Sequence, residues 1–232
     1  MRRDDAAHDP GPSAAGAASS RRRAAPSCVA FDWGGVFTVG TFDSSAVRAL
    51  ARLVGVEARA LEPTYLALMA EFEAGACDLP GFHERFCAAT GHRPDLEAFR
   101  AAFLGAVRER REAYELVDAL PAGVRVGMLS NNVAELCDLV RSDPRLGRVS
   151  AFVFSNEIGV RKPDPAAYEA LLAALDAEAG EVVFVDDNPA NVAAARELGI
   201  VGVLLDAEFP RRWREAVPGI ALPDALAGAY WG

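Results

Sequence analysis

Short apolar runs alternate with helical segments along most of this chain, and that alternation constrains its fold more than any other feature. Each run is bounded by polar, glycine or proline residues, as expected for a buried strand. The runs are Cys28–Phe31, 124–129, Val149–Phe154, 181–185 and 201–205. Strands joined by helices form a parallel sheet with right-handed crossovers. The sequence therefore predicts an α/β fold with a parallel sheet flanked by helices.

The stretch between the first two strands interrupts this alternation. Residues 44–54 have helical periodicity and end at Gly55, and from Glu62 to about Tyr114 the pattern is helical throughout, with a few breaks. We expect this stretch to be a small all-helical cap over the strand end that carries Asp32. The predicted division is a disordered tail at 1–26, an α/β core at 27–43 and 115–232, and a helical cap at 44–114.

Composition excludes some classes of partner. The chain has 33 acidic and 24 basic residues, a formal net charge of −9, which argues against nucleic acid because such proteins carry a basic patch. No apolar run approaches the roughly 20 residues of a membrane span. The four cysteines form no CxxC pair, so we expect buried, reduced thiols and a cytoplasmic protein. The pattern leaves monomer or homodimer open.

Polar residues follow the strand ends. Asp32 ends the first strand and precedes two glycines, Ser130 ends the second, Lys162 follows the third, and Asp186-Asp187 ends the fourth. Parallel strands deliver their carboxyl ends to one edge of the sheet, where such folds place their chemistry. Singly, each residue is explained as a turn, cap or solvated loop residue. Their shared position predicts one site.

The residue types suggest phosphoryl chemistry. Clustered carboxylates around an open position suit Mg²⁺, a hard cation that prefers oxygen ligands. Lys162 supplies positive charge, and the Ser130 hydroxyl with nearby backbone N–H groups can donate to phosphate oxygens. Asp32, held against a phosphoryl group, can attack it and form an aspartyl-phosphate. The expected partner is a small phosphorylated metabolite, with no nucleic acid and no membrane.

Four segments, in order, resemble the motifs of the haloacid dehalogenase superfamily. They are Asp32-Trp33-Gly34-Gly35-Val36, Gly127-Met128-Leu129-Ser130-Asn131-Asn132, Gly159-Val160-Arg161-Lys162-Pro163-Asp164 and Phe184-Val185-Asp186-Asp187-Asn188-Pro189-Ala190-Asn191. The helical insertion resembles the small cap of subfamily I. The residues of the last three motifs are most similar to those of the branch that contains α-glucose-1-phosphate phosphatase and the epoxide hydrolase N-terminal phosphatase.

That resemblance implies a Rossmann-like core and assigns roles to individual residues. The implied catalytic residues are Asp32 as nucleophile, Lys162 as neutralising cation and Ser130 as phosphate ligand. The implied Mg²⁺ ligands are Asp32, Asp186 and the Gly34 backbone carbonyl, with Asp187 as a neighbouring partner or alternative ligand. The implied substrate-binding residues are Trp33, Gly34, Ser130, Asn131 and Lys162. The implied activity is a Mg²⁺-dependent phosphatase acting on a sugar-phosphate type of substrate.

Gly34 departs from this pattern. Phosphatases of the superfamily usually carry a second Asp there, as general acid and base, and such a group contributes roughly 10²–10⁴ in rate. Its absence leaves open a metal-independent 2-haloacid dehalogenase, because halide leaves without a proton, or a protein with impaired or diverted catalysis. The Asp186-Asp187 pair favours a metal and so a phosphatase. Candidate replacement acids are Asp43, Glu71, Glu73 and His83.

Overall fold

A parallel sheet lies at the centre of the computed structural model, which describes residues 26–40 and 42–222. Its strands are β1 (Cys28–Phe31), β2 (Arg125–Ser130), β3 (Val149–Phe154), β4 (Val182–Asp186) and β5 (Val201–Leu204). The strand order is β3-β2-β1-β4-β5, and every pairing is parallel. β1 is therefore central, and Asp32 leaves it at the middle of the carboxyl edge.

Helices cover both faces of the sheet. They are α5 (Arg111–Ala119), α6 (Ala134–Arg141), α7 (Ser155–Ile158), α8 (Pro165–Leu175), α9 (Pro189–Glu197) and α10 (Phe209–Ala216). Because side chains alternate along a strand, Cys28 and Ala30 pack in one apolar cluster with Tyr168 of α8, whereas Val29 and Phe31 belong to a second cluster. Burial on both faces explains why the strands are continuous apolar runs.

Four helices of the described chain lie between β1 and α5 and form the cap. They are α1 (Phe42–Val54), α2 (Ala58–Glu73), α3 (Leu79–Thr90) and α4 (Leu96–Leu104), and α1 packs against α2 and α4. Asp78 and Asp95 cap α3 and α4, because their carboxylates accept from the amides of Gly81 and Ala98. The predicted α/β class, with a helical cap inserted after the first strand, is confirmed.

Several boundaries differ from the sequence expectations. α2 begins at Ala58 and not at Glu62, with Pro63 inside the helix. Pro63 removes one helical hydrogen bond, but Leu61 and Tyr65 bury the same helix face, and that packing outweighs the loss. α5 begins at Arg111 and therefore crosses the predicted boundary between cap and core at 114/115.

The chain ends bring two further observations. Beyond Asp206, where the sequence analysis predicted no helix, α10 buries Trp213, whose indole N–H donates to the carbonyl oxygen of Ile220 at 3.0 Å. Except for Pro26, the predicted disordered tail lies outside the described residues, as does Trp231.

Two expectations drawn from composition concern the thiols and the membrane. All four cysteines are free thiols, but Cys77 is partly exposed where burial was expected. Within 26–40 and 42–222, no helix combines the length and the apolar character needed to cross a membrane.

Aromatic side chains form the interior of the cap. Phe82 is fully buried, stacks on Phe72 with ring centroids 4.6 Å apart, and contacts Tyr65, Phe99 and Phe103. Such rings bury large apolar areas and prefer offset or edge-on contacts. These rings belong to a buried apolar cluster that continues into the sheet, and their packing holds the cap residues in place above the sheet edge.

We predict that Phe82→Ala lowers the free energy of unfolding by about 3–5 kcal/mol, because it removes a fully buried ring and leaves a cavity. Urea denaturation followed by circular dichroism measures the change. The matched control is Leu66→Ala on α2, where the side chain is 46% exposed; we expect it to cost under about 1 kcal/mol. Equal losses in the two variants would contradict the aromatic interior described above.

Candidate active site

Asp32 is fixed at the carboxyl end of the central strand. Its backbone N–H donates to the carbonyl oxygen of Val185 on β4 at 2.8 Å. Its carboxylate Oδ1 accepts from the backbone N–H of Trp33 at 2.7 Å. The side chain is buried but lines a cavity of about 460 Å³. Strand pairing and this local hydrogen bond therefore orient the carboxylate towards the cavity.

Lys162 joins two of the strand ends. Its Nζ lies 2.9 Å from Asp32 Oδ1 and 2.7 Å from Asp186 Oδ2. Burial lowers the pKa of the Lys162 ammonium, but the Asp186 and Asp32 carboxylates outweigh burial and leave that pKa above its ordinary value. Lys162 is therefore a charged ammonium, buried between two acids.

Asn131 holds the loop that carries Lys162. Its side-chain amide donates to the Lys162 carbonyl oxygen at 3.0 Å, and its Oδ1 accepts from the Lys162 backbone N–H at 2.8 Å. These two bonds occupy the Asn131 side chain, although the residue also lines the cavity. Its side chain thus positions Lys162, a role that the sequence analysis did not assign.

Ser130 has a less direct position. It ends β2 and is buried, with its hydroxyl 3.5 Å from the Asn131 carbonyl oxygen. It is not among the residues that line the cavity, whereas Asn131 and Asn132 are. The structure brings Asp32, Trp33, Asn131 and Lys162 to the cavity wall and leaves Ser130 behind it.

Three carboxylates lie close together at this edge. Oxygens of Asp32, Asp186 and Asp187 are within 4.8 Å of one another. Burial raises the pKa of Asp32 to about 7, with Lys162 opposing the rise, and burial with the Asp186 charge raises the pKa of Asp187 to about 6. One ammonium does not neutralise three acids. The oxygen-only donor set and its excess negative charge fit a hard divalent cation such as Mg²⁺.

The two glycines after Asp32 serve different purposes. Gly35 has φ +74°, and a Cβ there would lie 2.0 Å from Asp187 Oδ2, so any side chain would displace the carboxylate. Gly34 also lines the cavity, but a Cβ at Gly34 would meet nothing within 4 Å. The position next to the nucleophile therefore has room for a side chain that this sequence lacks.

The four candidate replacement acids separate clearly. Asp43 and Glu73, both from the cap, line the cavity that contains Asp32. Glu71 is exposed and paired with Arg85. His83 is buried, and its Nε2 is 2.8 Å from the carbonyl oxygen of Pro94. Only the first two lie where a substrate could reach them.

Arg161 was missed by the sequence analysis as a site residue. It precedes Lys162 in the same loop and lines the cavity, and its Nη2 lies 2.5 Å from Glu73 Oε2. Adjacency to the motif lysine was the available signal, but the loop direction decides whether a neighbour faces the cap. Asp43 in turn accepts from the Tyr65 hydroxyl at 3.0 Å. A second charged group therefore lines the cap side of the cavity.

Comparisons with known proteins place this geometry in context. The model of the haloacid dehalogenase-like hydrolase family matches residues 26–199. A phosphoglycolate phosphatase from Rhodospirillum rubrum is 29% identical, with 77% of this chain and 73% of that protein covered. Bifunctional epoxide hydrolase 2 from Rattus norvegicus is 39% identical over 72 residues, which span 31% of this chain and only 13% of that protein.

A solved structure shares the fold. A haloacid dehalogenase family enzyme from Bacteroides thetaiotaomicron, in complex with magnesium and inorganic phosphate, has a TM-score of 0.65. Its sequence is 18% identical, and the match covers 78% of this chain and 95% of that one. The fold described above is therefore one that this enzyme shares.

We predict a pH-dependent contribution of Glu73 to stability. Burial and the Asp43 charge raise the pKa of Glu73 from 4.5 to about 7, against Arg161 and Lys162. Between those values the unfolded carboxyl ionises while the folded one keeps its proton, so folding loses stability as pH rises. Relative to Glu73→Gln, the wild type should lose roughly 2–3 kcal/mol between pH 4.5 and pH 8.

Urea denaturation of both proteins at a series of pH values measures this difference. Glu71→Gln, on the same helix but exposed, is the control and should give a nearly flat difference curve. A wild type that gains stability relative to Glu73→Gln as pH rises would show that the Arg161 ion pair dominates.

Proposed function

The chain belongs to the haloacid dehalogenase-like hydrolase family, and from that premise we propose that it is a Mg²⁺-dependent phosphatase of a small, sugar-phosphate type of metabolite. The family resemblance carried by the four sequence motifs is confirmed, and the chain is a hydrolase. The single observation that carries the phosphatase proposal is the meeting of Asp32, Lys162 and the Asp186-Asp187 pair at one sheet edge.

Asp32 is the proposed nucleophile. Its Oδ1 is held by the Trp33 N–H and by Lys162, so Oδ2 is the oxygen that we expect to attack phosphorus. An Oδ2–P bond forms as the P–O bond to the alcohol breaks, and the departing alkoxide takes up a proton. Water then attacks phosphorus, releases inorganic phosphate and restores the Asp32 carboxylate.

Groups next to Asp32 would neutralise the negative charge of the phosphoryl group. Lys162 favours the ionised form of Asp32, since its ammonium opposes the rise in pKa that burial causes. Asp32, Asp186 and Asp187, with the Gly34 carbonyl, would hold Mg²⁺, which when bound offsets charge on the phosphoryl oxygens. Backbone N–H groups near Ser130 and Asn131 are the proposed donors to those oxygens.

Dehalogenation is the less favoured alternative. Dehalogenation of a haloacid needs no metal, whereas the excess negative charge of the three clustered carboxylates favours a bound cation. A haloacid is also itself an anion, and Asp43, Glu73 and Asp187 all line the cavity that it would enter. Gly34 remains the feature that motivates this alternative and the non-catalytic one. Halide release from chloro- or bromoacids would support dehalogenation, and its absence would remove it.

The first test is the nucleophile and the metal. We expect Asp32→Asn to lower turnover of phosphate monoesters by at least about 10³-fold, because the attacking oxygen is replaced by an amide. EDTA should abolish wild-type turnover, and added Mg²⁺ should restore it. Phosphate release measures activity, and circular dichroism checks that the variant is folded. Full turnover by the variant would refute the nucleophile, and turnover indifferent to EDTA would refute the metal.

The second test concerns the space at Gly34. Since a side chain fits there, we expect Gly34→Asp to raise turnover of alkyl phosphates by about tenfold or more, through protonation of the leaving alkoxide. p-Nitrophenyl phosphate, whose phenolate leaves without a proton, should change little. Gly34→Asn is the matched control, with the same size and no acid. An equal gain with Asn would show that the effect is not proton transfer.

A further inference from the structure

The cap side of the cavity carries its own charged group, built from Asp43, Glu73 and Arg161, and we refer to these three residues as the cap-side wall. Asp43 lies in the first turn of α1 and Glu73 ends α2, so both acids come from the cap. Arg161 comes from the loop that carries Lys162. All three line the cavity that also contains Asp32. A substrate whose phosphoryl group reaches Asp32 therefore presents its alcohol part to this wall.

The wall has more acids than bases. Arg161 is the one basic residue that lines the described cavity besides Lys162, and Lys162 is committed to Asp32 and Asp186. Arg161 pairs directly with Glu73, and its charge also acts on the Asp43 carboxyl. The charge of this one guanidinium is therefore balanced by two carboxylates. It leaves no excess positive charge to bind a substrate whose alcohol part carries an anionic group.

The two acids are held in place by contacts outside the cavity. The Tyr65 hydroxyl donates to Asp43 Oδ1, which leaves the other carboxylate oxygen for a ligand. The backbone carbonyl of Glu73 accepts from the Ser155 hydroxyl, and a Cβ on Gly75 would lie 2.5 Å from the carbonyl oxygen of Asn156. The end of α2 is therefore fixed closely against the core. Carboxylate acceptors positioned in advance recognise hydroxyl donors without reorganisation.

Apolar side chains complete the surroundings. Met69, Val133 and Leu136 line the same cavity beside Trp33. A polyhydroxyl compound presents hydroxyl groups at its rim and C–H groups on its faces. Both surfaces of such a compound therefore find a matching partner here.

We propose that the alcohol part of the substrate is an uncharged polyhydroxyl group, recognised by Asp43 and Glu73, and that carboxylate-bearing alcohols are rejected. This inference rests on the proposed phosphatase function of the same site. An extra carboxylate on the substrate would face two acids that already share Arg161, and like charges brought together oppose binding. Hydroxyl groups instead donate to both acids and accept from Arg161.

The test compares glycerol 3-phosphate with 3-phosphoglycerate, which differ only in a hydroxymethyl group against a carboxylate. At pH 8, above the pKa of about 7 to which burial raises Glu73, we expect kcat/KM to favour glycerol 3-phosphate by about tenfold or more. Asp43→Asn and Glu73→Gln should each raise kcat/KM for 3-phosphoglycerate while lowering it for glycerol 3-phosphate. Glu71→Gln, an exposed acid on the same helix, should leave the ratio unchanged. A merely structural defect would lower both values together.

The opposite outcomes overturn the proposal. A wild-type preference for 3-phosphoglycerate, or for the amine-bearing phosphoethanolamine over glycerol 3-phosphate, would refute it, and so would an unchanged ratio in both variants. Calorimetric binding of the two esters to Asp32→Asn, in the presence of Mg²⁺, separates this inference from the proposed function. If no ester is hydrolysed but glycerol 3-phosphate binds more tightly, the proposed phosphatase function is refuted, whereas the recognition of hydroxyl groups by Asp43 and Glu73 is supported. Equal binding of the two esters, or tighter binding of 3-phosphoglycerate, refutes the recognition role of Asp43 and Glu73 whatever the rate of turnover.

Discussion

A single buried ammonium holds the centre of this molecule together. Lys162 lies within 2.9 Å of Asp32 and 2.7 Å of Asp186, and its side chain is only 1% exposed. Removing one partner from such a buried pair costs about 3–5 kcal/mol, because the remaining charge has no solvent. The arrangement requires that the strand ends carrying these acids lie side by side. The parallel pairing of β1 with β4 therefore determines the electrostatics of the site.

The same ammonium is insufficient for the charge around it. Three carboxylates surround one lysine, and burial keeps water from screening the excess. A divalent cation would compensate this charge, and the proposed phosphoryl group would then meet a site that is no longer negative. The cap side repeats the imbalance on a smaller scale, with two acids and one arginine. There we infer that hydroxyl groups, which bring no charge, are the matching ligand.

Side-chain hydrogen bonds and close contacts at glycines hold these charged groups in position. Asn131 binds the Lys162 loop through two hydrogen bonds, and the absence of a side chain at Gly35 leaves space for the Asp187 carboxylate. The end of α2 contacts the core through Ser155 and Gly75, so Glu73 reaches the cavity from a rigid position. The site therefore combines loops of the core with one firmly attached helix of the cap.

Much of the fold was predictable from local patterns, and the failures have physical causes. Apolar runs mark strands reliably when both faces of a sheet are buried. The start of α2 was wrong because tertiary packing of Leu61 and Tyr65 outweighs the local penalty of Pro63. The role of Asn131 was missed because a polar residue after a strand is equally consistent with binding a ligand or a neighbouring loop. α10 was missed because its signal depends on burial of Trp213 against the sheet.

The sequence by itself determined the order of strands and helices along the chain, the family, and which polar residues end which strands, because these depend on periodicity and on residues adjacent in the chain. Only the tertiary structure decided which cap acids reach the cavity and that Arg161 faces Glu73. It also decided that Ser130 is buried behind the residues that line the cavity. Those facts depend on how separate segments are rotated and packed, and a side chain's direction in space is not encoded by its neighbours in sequence.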